Sequence, residues 1–499
     1  MSIKIELTEL PPPLLEFGSP GDFTDPRSGL REAGPFDLRF GAARSEKILV
    51  GLVGPREMVD RTALWLERCK GALDADNSRT QYPSFPGFSA IFRADLITAS
   101  HLTVAFEGSN SDLDVALALV DPKLRFETVL DVFSTGIKRL AESEATRPDV
   151  IFCCIPDDLI AKCWSIENSL TEEDRTAAKA LRKRKVDNQL ALFEAEAIEE
   201  QPEDLLRRDF RRALKARAMR SRVPVQLATN GLVLDGASGQ GPATRAWNSC
   251  VGLYYKAGGI PWRLRANGPE TCFVGVSFHH LQTTKRHLVH SSIAQAFSNQ
   301  GEGFALRGGS VDWSDEQGRE VHLSSEQAAQ LAVNILDEYR DRTGGIPLRV
   351  VLHKTSMFSA AESQGFRDAL SSVPVVELIN WMPTQFRLVR FGSYPPNRGT
   401  FCRVNNSKSY IFTTGYMPEL GTYPGPHIPA PAELRSDLPQ DLSVSARDIL
   451  ALSRMNWNTA GITGGTPVTL AFARKVGGIM SEFGQKGDEE PLTSFRYYM

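Results

Sequence analysis

Between Arg207 and Arg222 the chain concentrates eight cations: Arg207, Arg208, Arg211, Arg212, Lys215, Arg217, Arg220 and Arg222. Arg211 and Lys215 are four residues apart, so a helix sets them on one face. Such a face can clamp a phosphate through charge-assisted hydrogen bonds. A phosphate pocket also needs donors converging from other elements. The chain offers Gln226 on the next predicted strand and Lys256 at the end of the next predicted helix. The competing reading is a solvated basic face paired with the acidic run from Glu194 to Asp204, because charge runs commonly have no specific ligand.

Four histidines, His279, His280, His287 and His290, fall in one short segment and raise a metal hypothesis. His287 and His290 are three apart and can share a helical face. Against a metal, no nearby Cys, Asp or Glu completes a ligand set, and adjacent His279 and His280 point to opposite sides of a strand. Surface or nucleic-acid-rim histidines are the preferred reading, with Lys285 and Arg286 placed to contact a backbone phosphate. The glycine-rich run Gly236 to Gly241 lacks the Gly-Lys-Ser/Thr of a phosphate-binding P-loop and reads as a plain loop. The seven cysteines, Cys69, Cys153, Cys154, Cys163, Cys250, Cys272 and Cys402, form no CxxC pair, which favours reduced core thiols in a cytoplasm.

The elements that must position these residues follow from pattern. A chain of 499 residues, 41% hydrophobic, is too long for one core and suits two or three domains. Its formal net charge is −3, so any polyanion site must be local. No run approaches the roughly 20 apolar residues of a membrane span, and the N-terminus carries no leader pattern; the expectation is a cytoplasmic protein away from membranes. After a Pro/Gly-rich lead-in over 1–45, the apolar runs beginning at Lys47 and Asp149 read as strands of a parallel sheet buried on both faces. Residues 169–222 are charged and helix-forming and read as an insertion or helical hairpin outside the core. A strand from Val223 and a helix over 243–256 close a first α/β domain, 46–258, at Gly258-Gly259. In the second domain, 259–499, a strand over 272–278 is expected to form a hairpin with residues near Gly303 to Leu306. A helix over 324–342, a strand over 348–353 and two late helices, 443–456 and 467–483, complete a mixed α/β sheet. The aromatic terminus Phe495 to Met499 is expected to be docked.

A basic helical residue, a lysine four later, Pro224-Val-Gln on the following strand and the turn Lys256-Ala-Gly-Gly-Ile-Pro-Trp262 resemble the MID domain of Argonaute proteins. The resemblance reaches both ends of the chain. The entry Glu16-Phe-Gly, Asp25-Pro-Arg-Ser-Gly-Leu and Gly34-Pro-Phe looks like the lead-in to MID. Leu452-Ser-Arg-Met-Asn-Trp-Asn and Thr466-Pro-Val-Thr-Leu-Ala-Phe-Ala look like the last PIWI helices. With no room for N and PAZ domains, the pattern is similar to a short prokaryotic Argonaute: a Rossmann-like MID domain followed by an RNase H-like PIWI domain.

The resemblance implies that Arg211, Lys215, Gln226 and Lys256 hold a guide strand's 5′ phosphate. It also implies that the carboxylate of Met499 shares a Mg²⁺ ion with that phosphate. It implies an inactive PIWI site, because Ser277, Thr355 and Arg474 stand where catalytic relatives carry acids, and Glu302 alone cannot assemble the metal pair that phosphodiester cleavage needs. The expected function is guide-dependent recognition without cleavage, with a guide RNA and a target DNA. A separate APAZ-bearing partner with a TIR, sirtuin-like or nuclease effector would be switched on in defence against plasmids or phages. The alternatives are an RNase H-like nuclease with displaced carboxylates, or a scaffold subunit without a guide.

Overall fold

In a computed structural model, two sheets organise the chain. The structure describes residues 4–75, 81–108, 111–143, 146–167, 207–265, 268–281, 289–298, 303–312, 322–388, 392, 395–405, 408–421, 423, 429–461, 464–483 and 491–499. No helix among them is long and apolar enough to cross a membrane.

The first sheet is wholly parallel, in the order Asp95–Ile97, Lys47–Pro55, Val150–Cys154, Val225–Ala228, with Thr103–Phe106 continuing beside the second half of Lys47–Pro55. Every residue of Val150–Cys154 is buried, as covered parallel strands require. Pro122–Ala141 lays Phe126, Val129, Leu130, Phe133 and Ile137 on one side of the sheet. Arg56–Lys70 covers the other with Val59, Trp65 and Leu66. The helix Phe210–Ala218 is part of this core, with Phe210, Ala213, Leu214 and Ala218 buried in the same cluster as Phe126 and Phe133. This corrects the sequence reading of 169–222 as one insertion. Its basic residues masked an apolar face at i, i+3, i+4 spacing. The charged runs at 182–185 and 194–204 lie outside the described residues.

The second sheet has nine strands in the order Ile5–Glu9, Thr400–Val404, Lys408–Ile411, Ala432–Ser436, Val375–Pro383, Arg349–Lys354, Thr271–Leu281, Val289–Ser298, Gly303–Asp312. Thr271–Leu281, Arg349–Lys354 and Val375–Pro383 are parallel to one another, linked by the helices Ser325–Thr343 and Ala360–Ala369; the outer strands are antiparallel. The expected hairpin is corrected here. Thr271–Leu281 pairs with Val289–Ser298, and Gly303–Asp312 pairs with that strand instead. His290 therefore lies on a strand, so the helical-face metal reading fails on geometry.

The lead-in is not separate. Ile5–Glu9 joins the edge of the second sheet, and Asp37 accepts from the Tyr254 hydroxyl at 2.7 and 2.8 Å and from Ile260 N at 3.0 Å, tying it to the domain boundary. All seven cysteines are buried and unbridged. The tail is docked: Phe495, Tyr497 and Tyr498 are buried, and Phe495 stacks on Phe472 with centroids 4.0 Å apart.

Candidate nucleic-acid interface

Asp209 caps the helix Phe210–Ala218 by accepting from Arg212 N at 3.0 Å. With one helical face in the core, Arg211 and Lys215 turn toward the second domain. Lys215 is only 3% exposed and Lys256 only 1%, unusual for ammonium groups. The Lys215 amine donates to the main-chain oxygen of Tyr498 at 3.2 Å and to that of Met499. The Lys256 amine donates to Val225 O at 3.1 Å and to Gln226 Oε1. Gln226 Nε2 in turn donates to Leu227 O at 3.3 Å. Gln226 was expected to offer its amide to a phosphate; here it orients Lys256.

A fourth cation completes the group. Lys475 sits on the helix Val468–Met480, which packs against Phe210–Ala218 so closely that a Cβ on Gly478 would come within 2.9 Å of Arg212 Nε. The charge of Arg211 bears on all three lysines. Burial, then the charges of Arg211, Lys256 and Lys475, holds the Lys215 amine well below the usual lysine range. Burial, then Arg211 and Lys475, does the same to Lys256. Lys475 is brought down to about 8 by burial and then by Arg211. Burial also lowers Arg211, against the pull of Asp209. Arg211 and Lys475 reach the surface yet stand among enough protein atoms to be partly desolvated, so they flank the two buried lysines on the open side of the group. Mutually repelling cations under partial desolvation are what a terminal phosphate dianion relieves.

Lys475 was not among the residues the sequence singled out; it stands beside Arg474 on the same helix. No local signal distinguishes the two; only the packing of Val468–Met480 across the domain boundary turns Lys475 into the recess.

The second sheet brings together the other residues singled out. Parallel pairing of Thr271–Leu281 with Arg349–Lys354 ends at Val276 opposite Lys354, and Ser277 and Thr355 each follow by one residue in the chain. Gly275, two residues before Ser277 and on the same face, abuts the start of Val468–Met480: a Cβ there would lie 2.2 Å from Thr469 O. Arg474, half-buried, is carried by that same helix. Beneath, His353 is fully buried, its Nδ1 3.0 Å from Thr469 Oγ1. Burial first and Arg349 second push its pKa down to about 3, so it is neutral. The carboxylate nearest this strand end in sequence, Glu362, is committed elsewhere. Its oxygens lie 2.7 and 2.9 Å from the Lys354 amine and accept from Leu323 N and Ser359 N. Lys354 belongs to the opposite face of the strand from Thr355.

Glu302, His287, Lys285 and Arg286 lie outside the described residues, as do the side chains of His279, His280 and His290. Among the described residues no cluster of His, Cys, Asp and Glu could hold a metal.

No family model and no curated protein matches the chain by sequence. Its fold does match solved structures. Clostridium butyricum Argonaute bound to a guide DNA and a 19-mer target DNA superposes with a TM-score of 0.57 at 14% identity, covering 97% of this chain and 54% of that one. Aa-Ago with externally bound siRNA gives 0.55 at 13% identity, covering 99% and 56%, and A. aeolicus Argonaute 0.53 at 12%, covering 98% and 55%. The chain therefore has an Argonaute-type fold, a Rossmann-like MID layer followed by an RNase H-like PIWI sheet, and spans about half the length of these structures.

Proposed function

We propose that the chain anchors a guide strand by its 5′ phosphate in the recess of Arg211, Lys215, Lys256 and Lys475, and presents it along the second sheet to a complementary strand. The observation that carries this reading is the convergence of four cations, two of them buried, on the boundary between the sheets, with the charge of Arg211 bearing on all three lysines. The amines supply charge, Gln226 holds Lys256 in place, and the Tyr498 and Met499 main chain holds Lys215. Sequence specificity then comes from base pairing, with the protein reading backbone.

Recognition proceeds without cleavage in this reading, because Ser277 and Thr355 at the strand ends and Arg474 on the covering helix offer no carboxylate to a metal pair. For Mg²⁺ at the phosphate, the group expected to share the ion is the terminal carboxylate of Met499, and its main-chain oxygen already accepts from Lys215. The donor set suits phosphate directly, and no step here uses a metal. The guide is RNA, the target single-stranded DNA, and the output activation of a separate APAZ-bearing effector subunit in defence; these finer assignments rest on the family pattern.

The test is to purify the full chain, extract bound nucleic acid and analyse its 5′ ends, beside the variant Lys215→Ala with Lys256→Ala. Short 5′-phosphorylated strands, lost in the variant, support the reading. Equal recovery from both proteins, or no binding of supplied guides, leaves a scaffold. Cleavage of a matched strand by guide-loaded protein with Mn²⁺ would overturn the inactive-site assignment.

A further inference from the structure

Behind the phosphate recess lies a second cleft, of about 480 Å³, lined by Arg147, Asp149, Arg222, Ala257, Arg496 and Tyr497 together with the Val223-Pro224 turn. Three guanidinium groups from three separate elements face one carboxylate. That carboxylate is partly committed: Asp149 Oδ2 accepts from Leu49 N at 2.8 Å, and burial raises the pKa of the group against the pull of Arg496. The cleft is therefore net cationic.

Its wall is held in place from two directions. Arg222 adopts a left-handed backbone, φ 50° and ψ 32°, a conformation unfavourable for a non-glycine residue. Its carbonyl accepts from Arg147 Nη2 at 2.8 Å and from the Tyr497 hydroxyl at 3.3 Å. Arg147 Nη2 also reaches Ser221 O at 2.9 Å. Arg496 donates through Nη2 to the Tyr497 hydroxyl at 3.2 Å, and its guanidinium lies 5.1 Å from the centroid of that ring. Its Nε is buried and has no hydrogen-bond partner among the described residues. A buried donor without an acceptor is costly, and an anion in the cleft would supply the acceptor.

The cleft adjoins the recess along three elements. Ala257 follows Lys256, the turn at Val223-Pro224 precedes Val225 and Gln226, and Arg496 and Tyr497 precede the Tyr498 and Met499 main chain that holds Lys215.

We propose that this cleft is a second anion site, distinct from the guide-phosphate recess, that takes a phosphate group carried on a molecule of nucleotide size. Arg222 and Arg496 contact the phosphate, Asp149 offers a carboxylate to a sugar hydroxyl, and the Tyr497 ring gives an apolar wall. The volume lies within the usual range for small-molecule sites. Because both sites use the segment Phe495 to Met499, occupancy of one changes affinity at the other, and the coupling is reciprocal. The phosphate can come from a free nucleotide or from the backbone of a strand whose 5′ end occupies the neighbouring recess. The existence of the site does not depend on the guide reading.

The experiment is isothermal titration of the full chain with adenosine 5′-diphosphate, in wild type, Arg222→Gly, Arg496→Gln and Lys475→Met. Glycine suits the left-handed backbone at 222, so that variant removes the guanidinium and keeps the corner. The expected result is a binding event weakened about tenfold or more in Arg222→Gly and Arg496→Gln and retained in Lys475→Met. Binding that Lys475→Met removes and both arginine variants leave intact overturns the second site while sparing the recess. Absence of any binding overturns it as well. A second arm adds a 5′-hydroxyl oligonucleotide, which carries only phosphodiesters. If it displaces the nucleotide in wild type, strand backbone is the occupant; if it does not, a free nucleotide is. An oligonucleotide that competes equally in wild type and in Arg222→Gly binds elsewhere and counts against the site.

Discussion

Arg208 and Glu482 stand 274 residues apart in the chain yet meet through Arg208 Nε at 3.0 Å and Nη2 at 2.9 Å. Glu482 is nearly sealed, with 4% of its side chain exposed. Arg208 lies two residues before the helix that carries Arg211 and Lys215, and Glu482 two residues after the helix that carries Lys475. The pair thus sets the distance between the two halves of the cation recess. Arg208 also contacts Glu127 and lies 5.0 Å from the Phe126 ring, which anchors the link to the first core.

Replacing Glu482 with Ala should remove that link and leave part of a half-buried guanidinium unpaired, at a cost of about 1–3 kcal/mol. Affinity for a 5′-phosphorylated guide should fall several-fold, mainly through faster dissociation, while Glu482→Gln recovers part of both. Chemical denaturation and dissociation kinetics check this; a loss of stability with unchanged guide release would confine the pair to a structural role.

The titration of Lys475 predicts a pH dependence. Its pKa is brought from 10.5 to about 8 in the folded chain, so between those values the unfolded chain binds more protons. Stability therefore rises with pH across that window, and the penalty for carrying the charge is complete below about 8. A phosphate favours the charged amine and draws a proton in on binding. Guide affinity should fall as pH rises above 8, by at most about tenfold per unit for a single proton. Binding measured from pH 7 to 9.5 tests this, and Lys475→Arg should flatten the slope because a guanidinium stays charged.

Gly275 is required by close approach. A Cβ at this position would stand 2.2 Å from Thr469 O and 2.5 Å from Thr469 C, and backbone cannot move aside as a side-chain tip can. Gly275→Ala should destabilise the chain by about 1–3 kcal/mol and displace the start of Val468–Met480, weakening guide binding as well. Gly239→Ala, where nothing lies within 4 Å, is the control in the same denaturation series.

Lys354 and Glu362 form a sealed pair, with side chains 1% and 0% exposed. Glu362 also closes a capping box on Ala360–Ala369 and lies 3.0 Å from His322 Nδ1. Lys354→Met strands a carboxylate that accepts from Leu323 N and Ser359 N, and should cost about 3–5 kcal/mol. Lys354→Met with Glu362→Gln should recover much of that loss, because no buried charge remains and the amide oxygen can still accept. A double-mutant cycle measured by denaturation checks the coupling; additive losses would show that the two charges do not depend on each other.

Local pattern carried a large part of this molecule. The near-continuous apolar runs of Lys47–Pro55 and Val150–Cys154 required strands buried on both faces, and the spacing of Arg211 and Lys215 required a shared helical face. The absence of acids at Ser277 and Thr355 is a matter of residue identity alone. Tertiary structure decided the rest. It brought Lys475 to the recess, drew the tail to Lys215, turned Gln226 into a support for Lys256, and placed Ile5–Glu9 beside Thr400–Val404, with Ile5 opposite Val404. Apart from Gln226 and Lys256, 30 residues apart, these contacts join segments hundreds of residues apart. Their geometry comes from which apolar faces bury each other and which strand edges remain to be paired, and a periodicity of 2.0 or 3.6 residues states only that a face exists. The basic run over 207–222 shows the same division. Its charges were plain in the sequence, but only packing revealed that Phe210, Ala213 and Leu214 hold that helix in the core and so fix where its cations point.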